Sequence, residues 1–172
     1  MNTASRWSCE GAVRVSDGGR KLPVHGRLHH VATVVRDLDA AVRFHREVLR
    51  LPLEQIADVP SQEVRIAFLT AGESKIEIVA PTTETSGVAR YLASRGEGFH
   101  HLCIEVADIG AELARLAASG IQLINDAPVP GVEGPVAFLH PKSCNGVLVE
   151  LIEAPGGPAW SEFELVAIQR GE

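Results

Sequence analysis

The segment "GRLHHVATVVRDLDAAV" at residues 26–42 returns in altered form as "EGFHHLCIEVADIGAEL" at residues 97–113. The correspondence is positional: His30 and His101, Val35 and Val106, Asp37 and Asp108, and Ala40 and Ala111 are each 71 residues apart. An internal repeat of this kind implies one supersecondary unit used twice, each copy supplying the surface that the other cannot bury alone. In both copies a run with strand-like alternation leads into an aspartate and then into apolar residues at helical spacing. Asp37 and Asp108 suit helix N-caps, because a carboxylate there accepts from the free N–H groups of the first turn.

The rest of each copy reads as three further strands. Leu53 and Pro60 bracket a short one, and "VRIAFLTAGESKIEIVAP" reads as two strands around the turn Ala71-Gly72-Glu73-Ser74. In the second copy the strands fall at "IQLIND", "PVAFLHP" and "VLVELIE". The first helix is predicted to carry Leu38, Ala41, Val42, Val48 and Leu49 on one stripe, and the second Ile109, Leu113, Leu116 and Ala117. The predicted organisation is an α+β chain. It comprises an N-terminal extension (1–26), a first βαβββ module (27–82), a linking helix (83–97), a second βαβββ module (98–155) and a C-terminal tail (156–172). Val13 and Val15 suggest a strand in the extension, and Trp160 and Phe163 a cover for an edge or a partner surface. Sheets with one face under a helix leave the other face free, so two modules side by side enclose a cleft.

Strand alternation assigns side chains to that cleft. In the first module Val31, Thr33 and Val35 face the helix and His30 the cleft; Ile76 and Ile78 face the helix, leaving Lys75, Glu77 and Val79 opposite. In the second, His101, Cys103 and Glu105 lie opposite Leu102, Ile104 and Val106, and Glu150 occupies the place that corresponds to Glu77. His29 and His100 fall on the other face by this count, as residues that pack or hydrogen-bond behind the site. Each module thus offers one imidazole and one carboxylate. Such a set suits a divalent ion that accepts nitrogen and oxygen, such as Co²⁺, Mn²⁺, Ni²⁺, Fe²⁺ or Zn²⁺. Four protein donors leave a six-coordinate ion open to substrate, as in catalytic sites. A lone histidine or glutamate on a strand is ordinarily structural or solvated; four at matched positions of a repeat are not so easily explained.

The bulk properties narrow the partners. The formal charge of −6 argues against nucleic acid or an anionic membrane surface. No apolar run reaches the ~20 residues that span a bilayer. Cys9, Cys103 and Cys144 are scattered with no paired spacing, which fits a reducing, cytoplasmic setting. A homodimer is expected, since a half-exposed sheet edge is readily covered by a second copy.

The pieces "LHHVATVVRDLDAAVRFHREVL", "VRIAFLTAGESKIEIVAP", "GFHHLCIEVADI" and "FLHPKSCNGVLVELIEAP" resemble the vicinal oxygen chelate, or glyoxalase-like, superfamily, and within it the methylmalonyl-CoA epimerase family. The resemblance covers roughly residues 27–155. It implies paired βαβββ modules forming a curved sheet around a metal, with His30, Glu77, His101 and Glu150 as ligands. It further implies an acyl-CoA substrate, with Glu150 serving beside or at the metal in proton transfer. The opposing acid is left open among Glu63, Gln62 and water. Lys142 and Ser143, in the turn before the last strand, are read as contacts to the acyl group or the CoA phosphates, or else as a plain Pro141-fixed turn. Arg65, Lys75 and Arg95 are further basic candidates for phosphate. Two other activities fit the same fold: a glyoxalase I-type lactoylglutathione lyase, and a metal-free binder of small molecules. A ring-cleaving dioxygenase fits less well, since it needs two histidines and only one carboxylate.

Overall fold

The computed structural model describes residues 26–153. The expectations for Val13, Val15, Trp160 and Phe163 lie outside them. Eight strands form one mixed sheet in the order β2-β3-β4-β1-β5-β8-β7-β6. The strands are β1 (Arg27–Val34), β2 (Leu53–Val59), β3 (Val64–Ala71), β4 (Ser74–Pro81), β5 (Gly98–Val106), β6 (Val129–Pro130), β7 (Pro135–Leu139) and β8 (Leu148–Glu153). Three helices accompany them: α1 (Leu38–Arg43), α2 (Gly87–Arg95) and α3 (Ile109–Ala118). The order is two βαβββ units joined through α2, and the fold is glyoxalase-like.

The halves meet along the antiparallel pair β1 and β5. Within each half the first strand runs parallel to the last, β1 with β4 and β5 with β8. Helix α1 packs Leu38 and Val42 on Ala67, Leu69, Ile78 and Ala80, while α3 packs Ile109 and Leu113 on Val106, Ala137, Leu139 and Leu151. The opposite sheet faces turn inward. Ala32, Val34, Ile66, Phe68 and Val79 there are covered at one end by Val88 and Leu92 of α2. Cys103, Val136 and Ile152 form a smaller counterpart in the second half.

Both aspartates cap as expected: Asp37 Oδ1 accepts from Ala40 N–H and Asp108 Oδ1 from Ala111 N–H, each at 2.8 Å. Ser86 does the same for α2, its hydroxyl accepting from Ala89 N–H at 3.0 Å. The hairpin turn between β3 and β4 holds Gly72 at φ +69°, a left-handed conformation that glycine adopts without strain.

Two expected elements differ. The first helix does not continue regularly to Leu49: from Phe44 to Val48 it widens into a π-turn, with Leu49 N–H donating to Phe44 C=O. That widening rotates the last residues off the stripe, and Val48 and Leu49 are exposed instead of packed. The segment "IQLIND" is not a strand; it makes a single bridge, Leu123 to Leu139. The pairing stops because the Asn125 side-chain oxygen accepts the Phe138 N–H at 3.1 Å, taking a bond that a backbone carbonyl would extend. The strand in that part of the order is the two-residue β6.

Because the caps sit in separate halves and share no partner, their losses are independent. Asp37→Ala and Asp108→Ala each lower stability by about 1 kcal/mol, and the double variant loses the sum. Urea midpoints, with unchanged m-values, measure this.

Candidate metal centre

Four adjacent strands at the middle of the sheet, β4-β1-β5-β8, each place one polar side chain on the inner face. The register repeats between halves. Ala32, two residues beyond His30, stands opposite Glu77; Cys103, two residues beyond His101, stands opposite Glu150. Across the junction His30 pairs with Cys103 and Ala32 with His101, so the histidines too are diagonal neighbours. Diagonal positions on one face are near enough for long side chains to meet.

They do meet. His30 Nε2 lies 3.0 Å from His101 Nε2. Glu150 Oε2 is 3.1 Å from His30 Nε2 and 2.8 Å from His101 Nε2. Glu77 Oε2 is 3.4 and 3.3 Å from the same two nitrogens. All four residues are buried. A divalent ion with nitrogen and oxygen ligands at about 2.1 Å has neighbouring ligands about 3 Å apart, which these separations match. Glu77 Oε2 is buried and accepts no well-aligned hydrogen bond among the described residues. Two imidazole nitrogens turned on each other beside two carboxylates, one of them unsatisfied, are a donor set that fits a cation.

Charge compensation shows in the titration of the ion-free site. Burial disfavours the His101 imidazolium, but the neighbouring carboxylates of Glu150 and Glu77 outweigh it and lift His101 to about 9; His30 is raised in the same way. Burial would raise the Glu77 carboxyl, yet the imidazoles of His101 and His30 hold it down at about 2, and Glu150 is lowered likewise.

The flanking histidines depart from the strand count. His29 Nδ1 is 2.8 Å from His30 Nδ1, and His100 Nδ1 is 2.9 Å from His101 Nδ1. Consecutive residues of a regular strand point to opposite faces and cannot touch in this way. The β1–β5 pairing explains it: the register slips once between Leu28 and His30 and again opposite His100. Each slip is a β-bulge, which swings the extra residue's side chain toward the face it would otherwise avoid. Each flanking histidine therefore hydrogen-bonds its neighbour's distal nitrogen. Burial, then the charge of His101, pushes His100 down to about 4, and burial, then His30, lowers His29.

Other expected residues are placed elsewhere. Ser143 Oγ accepts from Gln122 N–H at 2.9 Å, and neither it nor the exposed Lys142 lines the cleft. Glu105 is buried but bonded to Arg27 at 2.9 Å. Cys103 is fully buried, with burial and then the nearby Glu150 pushing its thiol up, so it packs as an apolar residue. Arg65 pairs with Asp58, Lys75 with Glu54 and Glu133, and Arg95 stands over Tyr91. Glu63 does not line the cleft, whereas Gln62 does. The cleft also holds Glu133, a residue that strand parity passes over because it sits in the turn between β6 and β7. No helix among the described residues is long and apolar enough to cross a membrane.

Residues 29–139 match the family described as the Glyoxalase/Bleomycin resistance protein/Dioxygenase superfamily. The mitochondrial methylmalonyl-CoA epimerase of Mus musculus is 40% identical over 131 residues, 75% of this chain and 74% of that protein. The ethylmalonyl-CoA/methylmalonyl-CoA epimerase of Cereibacter sphaeroides is 42% identical over 129 residues, 73% of this chain and 96% of that protein. Among solved structures, a methylmalonyl-CoA epimerase in complex with methylmalonyl-CoA and NH4+ superposes with a TM-score of 0.73 at 34% identity, covering 78% of this chain and 99% of that one.

The ion-free protein has a defined pH response. His101, at about 9 when folded against 6.5 unfolded, contributes stability that is full below 6.5 and lost as pH rises through 9. Glu77, at about 2 against 4.5, contributes stability that is full above 4.5 and lost as pH falls toward 2. His100, at about 4 against 6.5, adds an acid-side loss that begins as pH falls below 6.5, so with metal removed the melting temperature peaks near pH 6.5 and declines on both sides. A saturating divalent ion takes the proton's place and removes the alkaline decline. Scanning calorimetry with chelator and with added metal distinguishes the two profiles.

Proposed function

Since the chain belongs to the Glyoxalase/Bleomycin resistance protein/Dioxygenase superfamily, we propose that it is a metal-dependent epimerase interconverting (R)- and (S)-methylmalonyl-CoA. The observation that carries the reading is the convergence of two imidazoles and two carboxylates in a cleft, in a chain so similar to epimerases of this substrate. His30, Glu77, His101 and Glu150 would hold the ion; their nitrogen and oxygen donors admit Co²⁺, Mn²⁺, Ni²⁺, Zn²⁺ or Fe²⁺, and Co²⁺ or Mn²⁺ is the proposed occupant. When bound, the ion supplies Lewis-acid stabilisation of the negative charge that grows on the thioester oxygen as the α-proton leaves.

The reaction removes the proton between a thioester and a carboxylate and returns one to the opposite face. A substrate carboxylate entering beside two buried glutamates needs compensating positive charge, which supports a cation at the site. Val64, Ile66, Phe68 and Val88 make the cleft wall apolar, which suits the methyl group and excludes water from the reacting carbon. Glu150, the carboxylate closest to the imidazoles, takes the proton on one face. Beyond the four ligands, the polar side chains of the cleft are Gln62, His100 and Glu133, and the donor to the other face comes from these or from a water they hold. Lys142, exposed on the turn before β8, would meet the phosphate-bearing part of CoA at a distance from the chemistry. Ser143, whose Oγ accepts from Gln122 N–H, keeps its own O–H proton to donate there. A homodimer belongs to the same reading, since β2 and β6 end the sheet among the described residues. The free thiols of Cys103 and Cys144 support a reducing compartment such as the cytoplasm.

The test is exchange of the methylmalonyl-CoA α-proton with D₂O, followed by NMR. Metal-loaded protein washes the proton out, chelator stops it, and Co²⁺ or Mn²⁺ restores it; no washout by metal-loaded protein defeats the assignment. Glu150→Gln lowers the exchange rate by about 10²–10⁴-fold. Glu77→Ala and His101→Ala release the metal on purification, read by elemental analysis. Turnover of the methylglyoxal–glutathione hemithioacetal in place of washout would favour a lactoylglutathione lyase.

A further inference from the structure

Glu133 is anchored and yet unfinished. Its Oε1 accepts from Gln55 Nε2 at 3.1 Å and from Lys75 Nζ, both in the first module, while its own turn belongs to the second. Its Oε2 is buried with no aligned hydrogen-bond donor among the described residues and lies 3.5 Å from His29 Nε2. The other nitrogen of His29, Nδ1, is the one that meets His30 Nδ1 at 2.8 Å.

These contacts allow one proton arrangement when His30 binds a cation. A ligating Nε2 must present its lone pair, so the His30 proton sits on Nδ1 and donates to His29 Nδ1. His29 then carries its proton on Nε2, directed at Glu133 Oε2, the atom that lacks a partner. We propose that Glu133 and His29 form a positioning relay that sets the tautomer and ring orientation of His30. Resting on the reading of His30 as a ligand, the relay makes hold of the ion depend on a turn delivered from the other half of the molecule. A carboxylate behind a ligating imidazole raises its basicity and holds its plane, which strengthens metal binding. Here the effect passes through one intervening ring. Among the described residues the second half has no such terminus: His100 backs His101 but stands with its ring edge against Tyr91, centroids 5.0 Å apart.

The experiment measures affinity for cobalt alone by chelator competition, with thermal melting alongside. His29→Phe and Glu133→Ala each weaken cobalt binding by about 10–100-fold, and the double variant loses no more than the worse single one, because the two act in series. If Glu133 matters only as a clamp on Lys75 and Gln55, His29→Phe leaves affinity unchanged, and that result overturns the relay. Fully additive losses in the double variant overturn it as well. Should His29→Phe not fold, the wild-type protein decides: in the zinc form, long-range ¹⁵N–¹H spectra place the His30 proton on Nδ1 and the His29 proton on Nε2, and a His29 proton on Nδ1 overturns it. Wild-type protein that takes up no cobalt overturns the metal reading itself; wild-type binding with variants within about twofold overturns the relay alone.

Discussion

Two imidazoles and two carboxylates are buried with their facing atoms about 3 Å apart, and the rest of the molecule is arranged around that fact. Burying a lone ionised group costs several kcal/mol, so no one of the four is tolerable without the others. Together they compensate: the glutamates hold protons on the histidines, and the histidines keep the glutamates ionised. The same arrangement is poised for exchange, because a divalent ion matches the charge of the two imidazole protons it displaces and adds coordination to all four side chains. The sheet order serves this end. It brings the first and last strands of both halves side by side at the centre and leaves the outer strands to build the walls.

Duplication explains the near-symmetry of the donor set, while the proposed chemistry depends on the departures from it. Moving a proton from one face of a carbon to the other needs unlike groups on the two sides. Helix α2 supplies one inequality, since Val88 and Leu92 cover the inner face of the first half only. Glu133 supplies another, reaching the back of the first doublet with no equivalent behind the second among the described residues. A repeat-built scaffold with unequal inserts is a simple route to a site that is symmetric toward an ion and asymmetric toward a substrate.

Much of this was legible in the residues because it follows from short-range regularities. The cap positions of Asp37 and Asp108 need only the chemistry of a helix start. The inward placement of His30, Glu77, His101 and Glu150 needs only alternation along a strand and the recognition that the halves match. The same reasoning failed wherever one local event broke the regularity. A bulge in each doublet turned His29 and His100 toward their neighbours, and the Asn125 side chain took the bond that would have lengthened a strand. Near the last strand, Lys142 and Ser143 are close to the site in sequence but do not line the cleft.

The amino-acid sequence by itself determined the two units, their caps, the apolar faces and the identity of the four central polar residues, because periodicity and repetition are properties of a chain read in order. Only the tertiary structure decided that these four meet within hydrogen-bonding distance, that the flanking histidines touch them, and that Glu133 stands behind His29. Those outcomes depend on strand register across the junction, on two single-residue slips, and on the curvature that brings the β6–β7 turn back over the first half. Register and curvature are set by the packing of the whole sheet, and no local stretch of the chain encodes them.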